Sequence, residues 1–215
     1  IPYSTVAAIA PAGATAEHMR GQAGQPVQLA DGQVLLTRWA ADDLRAKAGD
    51  RITLRYYVTG ALGHLETVTT PFTVAGIVEP NAAANDPGFT PPYPGVTDVE
   101  RLADWSPPFP VDLKRIRPRD EDYWEKHKTA PKAFVALADG ERLWAEADAR
   151  LGRYTALRLP FPAETDPAEW RRQARAELLD ALSPESAGFA VRHPRRAARA
   201  AGRGRACGGR PGLPT

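Results

Sequence analysis

A chain of 215 residues is long enough to bury a substantial core, as one large domain or two small ones. Its 21 prolines and 18 glycines, beside an apolar fraction of 43%, imply many turns and long irregular stretches. The formal charge of +2 is uneven: residues 192–215 hold seven arginines and no acid, which leaves 21 basic against 26 acidic residues, about −5, in the body and argues against nucleic acid as its main partner.

With one cysteine, Cys207, no disulfide framework forms within the chain. No run of about 18 apolar residues is present, so no segment reads as a membrane span. The start at Ile1, with neither Met nor signal peptide, leads to the expectation of an excised fragment.

In chain order, residues 6–10 read as a strand and residues 11–25, rich in Ala and Gly, as a loop. Asp31-Gly32 reads as a turn before the central module, residues 34–79. There a short apolar strand, Val34 to Leu36, runs into a helix for which Thr37 is the N-cap, its hydroxyl accepting from a first-turn amide. Leu36, Ala40 and Leu44 are spaced to share one helix face, and Gly49 is expected to end the helix in the left-handed conformation. Ile52, Leu54, Tyr56 and Val58 alternate with Arg51, Thr53, Arg55 and Tyr57, the signature of a half-buried strand. Gly60 and Gly63 bracket a turn. Val68, Thr70, Phe72, Val74, Gly76 and Val78 form the matching row of the next strand. Pro71, which has no N–H for a ladder, predicts an edge or a bulge there. The expected fold is α+β: a small twisted, barrel-like hairpin module with packed helices, a long Pro-rich insertion and a second α+β part. The six residues Leu36, Leu44, Ile52, Leu54, Phe72 and Val74 are the expected core of the module.

Residues 80–118 form the insertion, with one short helix expected at about 98–104. A structureless stretch of this length inside a domain is often functional. Its aromatics, Phe89, Tyr93, Trp105 and Phe109, either pin the segment to the core or form a surface for a partner protein or hydrophobic cargo. Residues 119–190 read as the second α+β part. It opens with a charged helix, residues 119–128, on which Asp120, Glu121 and Asp122 read as a solvated face. A strand follows at 133–137, a helix at 139–149 with Leu143, Trp144 and Ala147 inward, and a strand at 154–159. Asp166 caps a helix that opens with Pro167 and extends to about Leu182. Trp170, Ala174, Glu177, Leu178 and Ala181 are its expected packed side.

The module and its surroundings resemble a known family. "VLLTRWAADDLRAKAGDRITLRYYV" followed by "FTVAGIVE" is similar to the extracytoplasmic domain of FtsX-like (MacB-type) ABC transporter permeases. "IPYSTVAAIAP", "DYWEKHKTAPKAFVAL" and "YTALRLPF" resemble a large-ectodomain branch of that family, and the likeness covers residues 1–190. These are fold signatures, not active-site signatures. The resemblance implies a non-catalytic domain on the extracytoplasmic face of the cell membrane, flanked by transmembrane helices. Such a domain captures cargo or a partner protein and transmits motion from a cytoplasmic ATPase subunit, reached through the parent permease. It implies a dimer in the parent transporter, a periplasmic protein or lipid-like cargo, no cofactor and no nucleic acid.

Read for chemistry, the chain has no G-x-S-x-G, no H-E-x-x-H and no P-loop. His18, His64, His127 and His193 are far apart in sequence, and Cys207 has no catalytic companion. Asp42-Asp43 reads, like the acidic helix, as a solvated face. Three other readings stand beside the permease domain: a free-standing binding or adhesion module, a small hydrolase using scattered carboxylates, and nucleic-acid binding through the arginine tail. Residues 191–215 are expected to be disordered, since too little apolar surface remains to offset ordering. Their Arg/Ala/Gly/Pro composition is what a GC-rich gene gives in a shifted reading frame; the alternative is a true basic tail attracted to anionic lipid or nucleic acid.

Overall fold

The structure, a computed structural model, describes residues 1–10, 19–21, 24–59, 64–81, 84–107, 109–147, 154 and 164–182. The Gly60–Gly63 turn, the strand expected at 154–159 apart from Tyr154, most of the loop at 11–25 and the tail from 191 lie outside the described residues. The chain divides into two units, Ile1–Arg158 and Leu159–Thr215.

The first unit is an α+β fold built on one curled five-stranded sheet. Its strands are β1 (Val6–Ile9), β2 (Gln33–Thr37), β3 (Arg51–Thr59), β4 (Leu65–Val78) and β5 (Ala133–Ala136). They lie in the order β1-β5-β2-β4-β3. β1 and β5 are parallel, as are β2 and β4, whereas β5–β2 and β4–β3 are antiparallel. Residues 133–136, expected within a second part, instead sit between β1 and β2 of the module's own sheet.

Alternation sorts the side chains onto two faces. Leu35, Val78, Phe134, Ile9 and Met19 form one buried cluster; Val34, Leu36, Phe72, Val74 and Val135 belong to the other. Val74 and Val78 share a parity in sequence yet lie in different clusters. The cause is a bulge: Val34 pairs with Val74 but Leu35 pairs with Gly76, so Ala75 is the extra residue and the faces exchange there. Pro71 sits where β4 has β3 on one side and β2 has not yet begun, so its missing N–H interrupts no ladder on that side.

Helix α1 (Arg38–Leu44) follows β2 without a loop. Thr37 caps it as the sequence predicts, its hydroxyl accepting from the Ala40 N–H at 3.3 Å while donating to the Lys132 carbonyl at 3.1 Å. The helix ends earlier than Gly49. Arg45 itself takes the left-handed conformation (φ 52°), and its N–H reaches back to the carbonyls of Ala41 and Asp42. Gly49 serves the turn into β3, donating to the Val74 carbonyl at 2.8 Å. Leu44 is therefore the last residue of a seven-residue helix, where the chain already turns away, and it is 41% exposed, not core. Leu36, Phe72 and Val74 are buried as expected, but Ile52 and Leu54 only half so, because β3 is the edge strand.

The insertion contains no α-helix among its described residues. In place of the helix expected at 98–104 there are three 3-10 turns, at Pro87–Phe89, Leu102–Asp104 and Leu113–Arg115. Side-chain hydrogen bonds replace regular structure: Asp86 caps the first turn at Gly88 N (2.7 Å), and Asp98 accepts from Gly95 N (2.7 Å). Gly95 has φ +80° and lies so near Ser106 that a Cβ would come within 2.5 Å of its carbonyl oxygen, a position open to glycine alone.

Helix α2 (Pro118–His127) does not carry its three acids on a solvated face. Asp120 is buried, accepting from the Arg117 backbone N–H at 3.0 Å at the helix start. Glu121 accepts from the N–H groups of Leu102 (3.1 Å) and Ala103 (3.0 Å), anchoring a 3-10 turn of the insertion. Only Asp122 is exposed. The partners of Glu121 lie 19 and 18 residues away, outside the helix's own pattern, whereas Asp120 is bound by the N-cap residue Arg117 of its own first turn. Helix α3 (Leu137–Ala147) crosses β1 so closely that a Cβ on Gly140 would lie 2.2 Å from that of Ala8. Leu143 packs inward; the side chains of Trp144 and Ala147 lie outside the described residues.

In the second unit, helix α4 (Pro167–Ala181) starts as predicted, Asp166 accepting from Ala168 N at 3.0 Å with proline at the first position. Its expected packed side differs. Trp170 and Ala174 are half-buried, while Glu177, Leu178 and Ala181 are exposed, since Glu177 interrupts an already narrow apolar stripe.

Candidate functional site

The first unit holds a cavity of about 1600 Å³ along the sheet face that carries Leu36 and Val135. Its floor is apolar: Leu36, Ala40, Leu54, Ala133, Val135 and Leu143. β1 and the residues before it form one wall, and the insertion contributes another. Three of the four aromatics singled out in the sequence, Phe89, Trp105 and Phe109, line it. Phe89 also stands edge-on to Phe134, with ring centroids 5.6 Å apart, so this ring anchors the insertion as well as lining the cavity. Trp105 stacks edge-on to Trp124 at 5.3 Å and lies 6.2 Å from Tyr3. Phe109 lies between Tyr57 of β3 at 6.4 Å and Tyr93 at 6.0 Å. Tyr93, 39% exposed, stands beside the cavity behind Phe109.

The rim is basic. Arg45, Arg51, Arg55 and Arg115 line the cavity against two acids, Asp50 and Glu141. Among the described residues none of the four guanidiniums is in an ion pair, and that of Arg115 stands 5.9 Å from the Tyr3 ring centre. In the sequence Arg51 and Arg55 read only as the polar face of a strand, and Arg115 lay in a segment without periodicity. Tyr3 and Tyr57 were missed for the same reason: a shared cavity brings them together across long chain separations.

Beside the cavity lies a buried charge network. The Asp43 side chain, 4% exposed, accepts both terminal nitrogens of Arg117 at 2.9 and 2.7 Å and Arg119 at 2.6 Å. Arg117 also binds Asp120 through Nε at 2.7 Å and Nη2 at 2.9 Å. These guanidinium contacts hold the Asp43 carboxyl below the usual carboxylate range, although burial opposes them. For Asp120 burial is the largest influence and pushes the carboxyl up, yet the Arg117 hydrogen bonds together outweigh it. Neither of these carboxylates is therefore the solvated group expected from the sequence, nor a proton donor near neutral pH.

Lys132 joins this network to the cavity, which it lines. Its ammonium lies 4.3 Å from the ring centre of Trp39 and 4.7 Å from that of Tyr123, on ring faces that favour a cation. Burial pushes it down to about 8, against the pull of Asp120. Its position was not legible from the sequence, where a lone lysine before a strand reads as surface. A second cavity of about 30 Å³, lined by Trp105, Asp120 and Lys132 among others, has room for one water molecule. The buried indole N–H of Trp105 has no hydrogen-bond partner among the described residues.

Among the described residues no three His, Cys, Asp or Glu side chains gather as a metal site requires. His127 lies against the Tyr123 ring at 4.8 Å, and burial lowers its pKa. His64 is exposed; His18, His193 and Cys207 lie outside the described residues. Among the described residues no helix is long and apolar enough to cross a membrane. Compared with known proteins, the chain matches no protein-family model and no curated protein sequence.

Proposed function

We propose that this chain is a non-catalytic binding domain on the extracytoplasmic face of the cell membrane, part of an FtsX-like ABC transporter permease. It captures an apolar cargo or partner segment in the cavity and passes on motion driven by a cytoplasmic ATPase. The observation that carries the binding role is the meeting of Phe89, Trp105 and Phe109 with the apolar sheet face around one cavity. The permease assignment rests on the sequence resemblance of residues 1–190. Asp43 and Asp120, in the network beside the cavity, are tied up as acceptors for arginine.

The test uses a neutral naphthylamine dye that brightens in apolar surroundings. The protein should bind it saturably, and replacing Tyr93, Trp105 and Phe109 together with alanine should weaken binding about tenfold or more while circular dichroism and the sheet's unfolding transition persist. Equal dye affinity in the folded triple variant would overturn the binding role. The membrane role is tested separately in the full-length gene product: fractionation with the membrane and protection of this domain from a cytoplasmic protease are expected. A freely secreted product would instead support a free-standing module.

A further inference from the structure

We infer that the occupant of the cavity is a single-chain anionic amphiphile, a long-chain fatty carboxylate taken up as a monomer. This rests on the binding role proposed above and gives it a ligand class. Two features select that chemistry. The floor is hydrocarbon, with Leu36, Ala133 and Val135 contributed by strands whose backbone groups are already engaged in ladders. A peptide laid there would leave its own amides without water or partners, a cost an acyl chain does not carry. The rim then sets the headgroup. Among the described residues Arg45, Arg51, Arg55 and Arg115 outnumber Asp50 and Glu141 by two, and the guanidiniums are in no ion pair with a carboxylate. Asp50 is partly occupied, accepting from the Lys47 N–H at 2.9 Å. A guanidinium fork matches a carboxylate in a bidentate geometry, so an anion gains where a neutral or cationic head does not.

Displacement of the neutral dye is the experiment, run below micelle concentration with palmitate, hexadecanol and a graded series of saturated fatty acids. Palmitate should displace dye at least tenfold more effectively than hexadecanol. Affinity should climb roughly fourfold for each added CH2 until the chain outgrows the cavity. Replacing Arg51, Arg55 and Arg115 together with glutamine should erase the advantage of palmitate while leaving hexadecanol and dye affinities unchanged. The three side chains are exposed or at the rim, and an unchanged unfolding midpoint confirms that the fold is retained. Equal affinity for palmitate and hexadecanol, or palmitate binding indifferent to the arginines, would overturn the inference while dye binding kept the cavity's role intact. Failure of dye, palmitate and hexadecanol alike would remove the binding role itself.

Discussion

The two faces of the sheet are covered in different ways. The face carrying Leu35, Phe134 and Val78 is closed by irregular chain: Met19 and Leu29 come from before β2, and Ala84 and Phe89 from the insertion. The face carrying Leu36, Phe72 and Val135 is covered by α1 and α3 and borders the cavity. Irregular segments bend to follow a curled surface. Helices are stiff rods about 10 Å across and touch such a surface only along part of their length. The lesson is that the space lies where stiff helices cover the sheet, while the irregular insertion serves both sides: Ala84 and Phe89 pack on the first face, and Trp105 and Phe109 line the cavity.

Substitutions on the two faces should separate accordingly. The largest loss is expected for Phe134→Ala, which empties a fully buried site on the sealed face and should cost about 3–5 kcal/mol in urea unfolding. The matching change on the cavity side, Leu54→Ala, removes a half-buried side chain and should cost about 1–2 kcal/mol. If Leu54→Ala proved the costlier of the two, the contrast between the faces would be wrong.

A middle effect is expected where α3 meets β1. Gly140→Ala would normally help a helix by about 1 kcal/mol. Here the new methyl would fall 2.2 Å from the Ala8 Cβ, so a net loss of about 1–3 kcal/mol is expected. A gain in melting temperature would show that α3 has room to move off the sheet.

The smallest effect concerns the charges that join α1 to α2. Asp43→Asn should cost about 1 kcal/mol at pH 7, because Arg117 and Arg119 are 40% and 42% exposed and water takes up part of the loss. The Asp43 carboxyl is held below its unfolded range, so its contribution is present above about pH 4 and fades as pH falls through the depressed folded value. The stability gap between wild type and Asp43→Asn should therefore close on acidification below about pH 4. A gap constant down to pH 3 would mean that the carboxylate charge is not what holds the two helices together.

What the sequence made legible was local. The Thr37 and Asp166 caps, the Asp31-Gly32 turn and the alternating β3–β4 hairpin each depend on residues a few positions apart. The place of β5 in the middle of the sheet was not legible, because no short-range pattern tells a four-residue apolar run which strand it pairs with. Asp43 was misread as solvated for a related reason: its guanidinium partner Arg117 is 74 residues away, whereas Asp120 is three residues from Arg117 and its burial depends on how α2 packs. Leu44 was misread because helical spacing places a residue on a face without saying where the helix stops. Of the cavity, the aromatics of the insertion were visible in advance; the arginine rim and Lys132 required the fold.

The parallel pairing of β1 with β5 has a consequence in time. Residues 6–9 leave the ribosome well before the strand they pair with among the described residues, residues 133–136. At ordinary elongation speeds that partner follows on the order of ten seconds later. The β3–β4 hairpin closes within microseconds of its second arm emerging. While residues 79–132 are being added, the nascent chain therefore carries a finished β3–β4 hairpin and an unpaired β1.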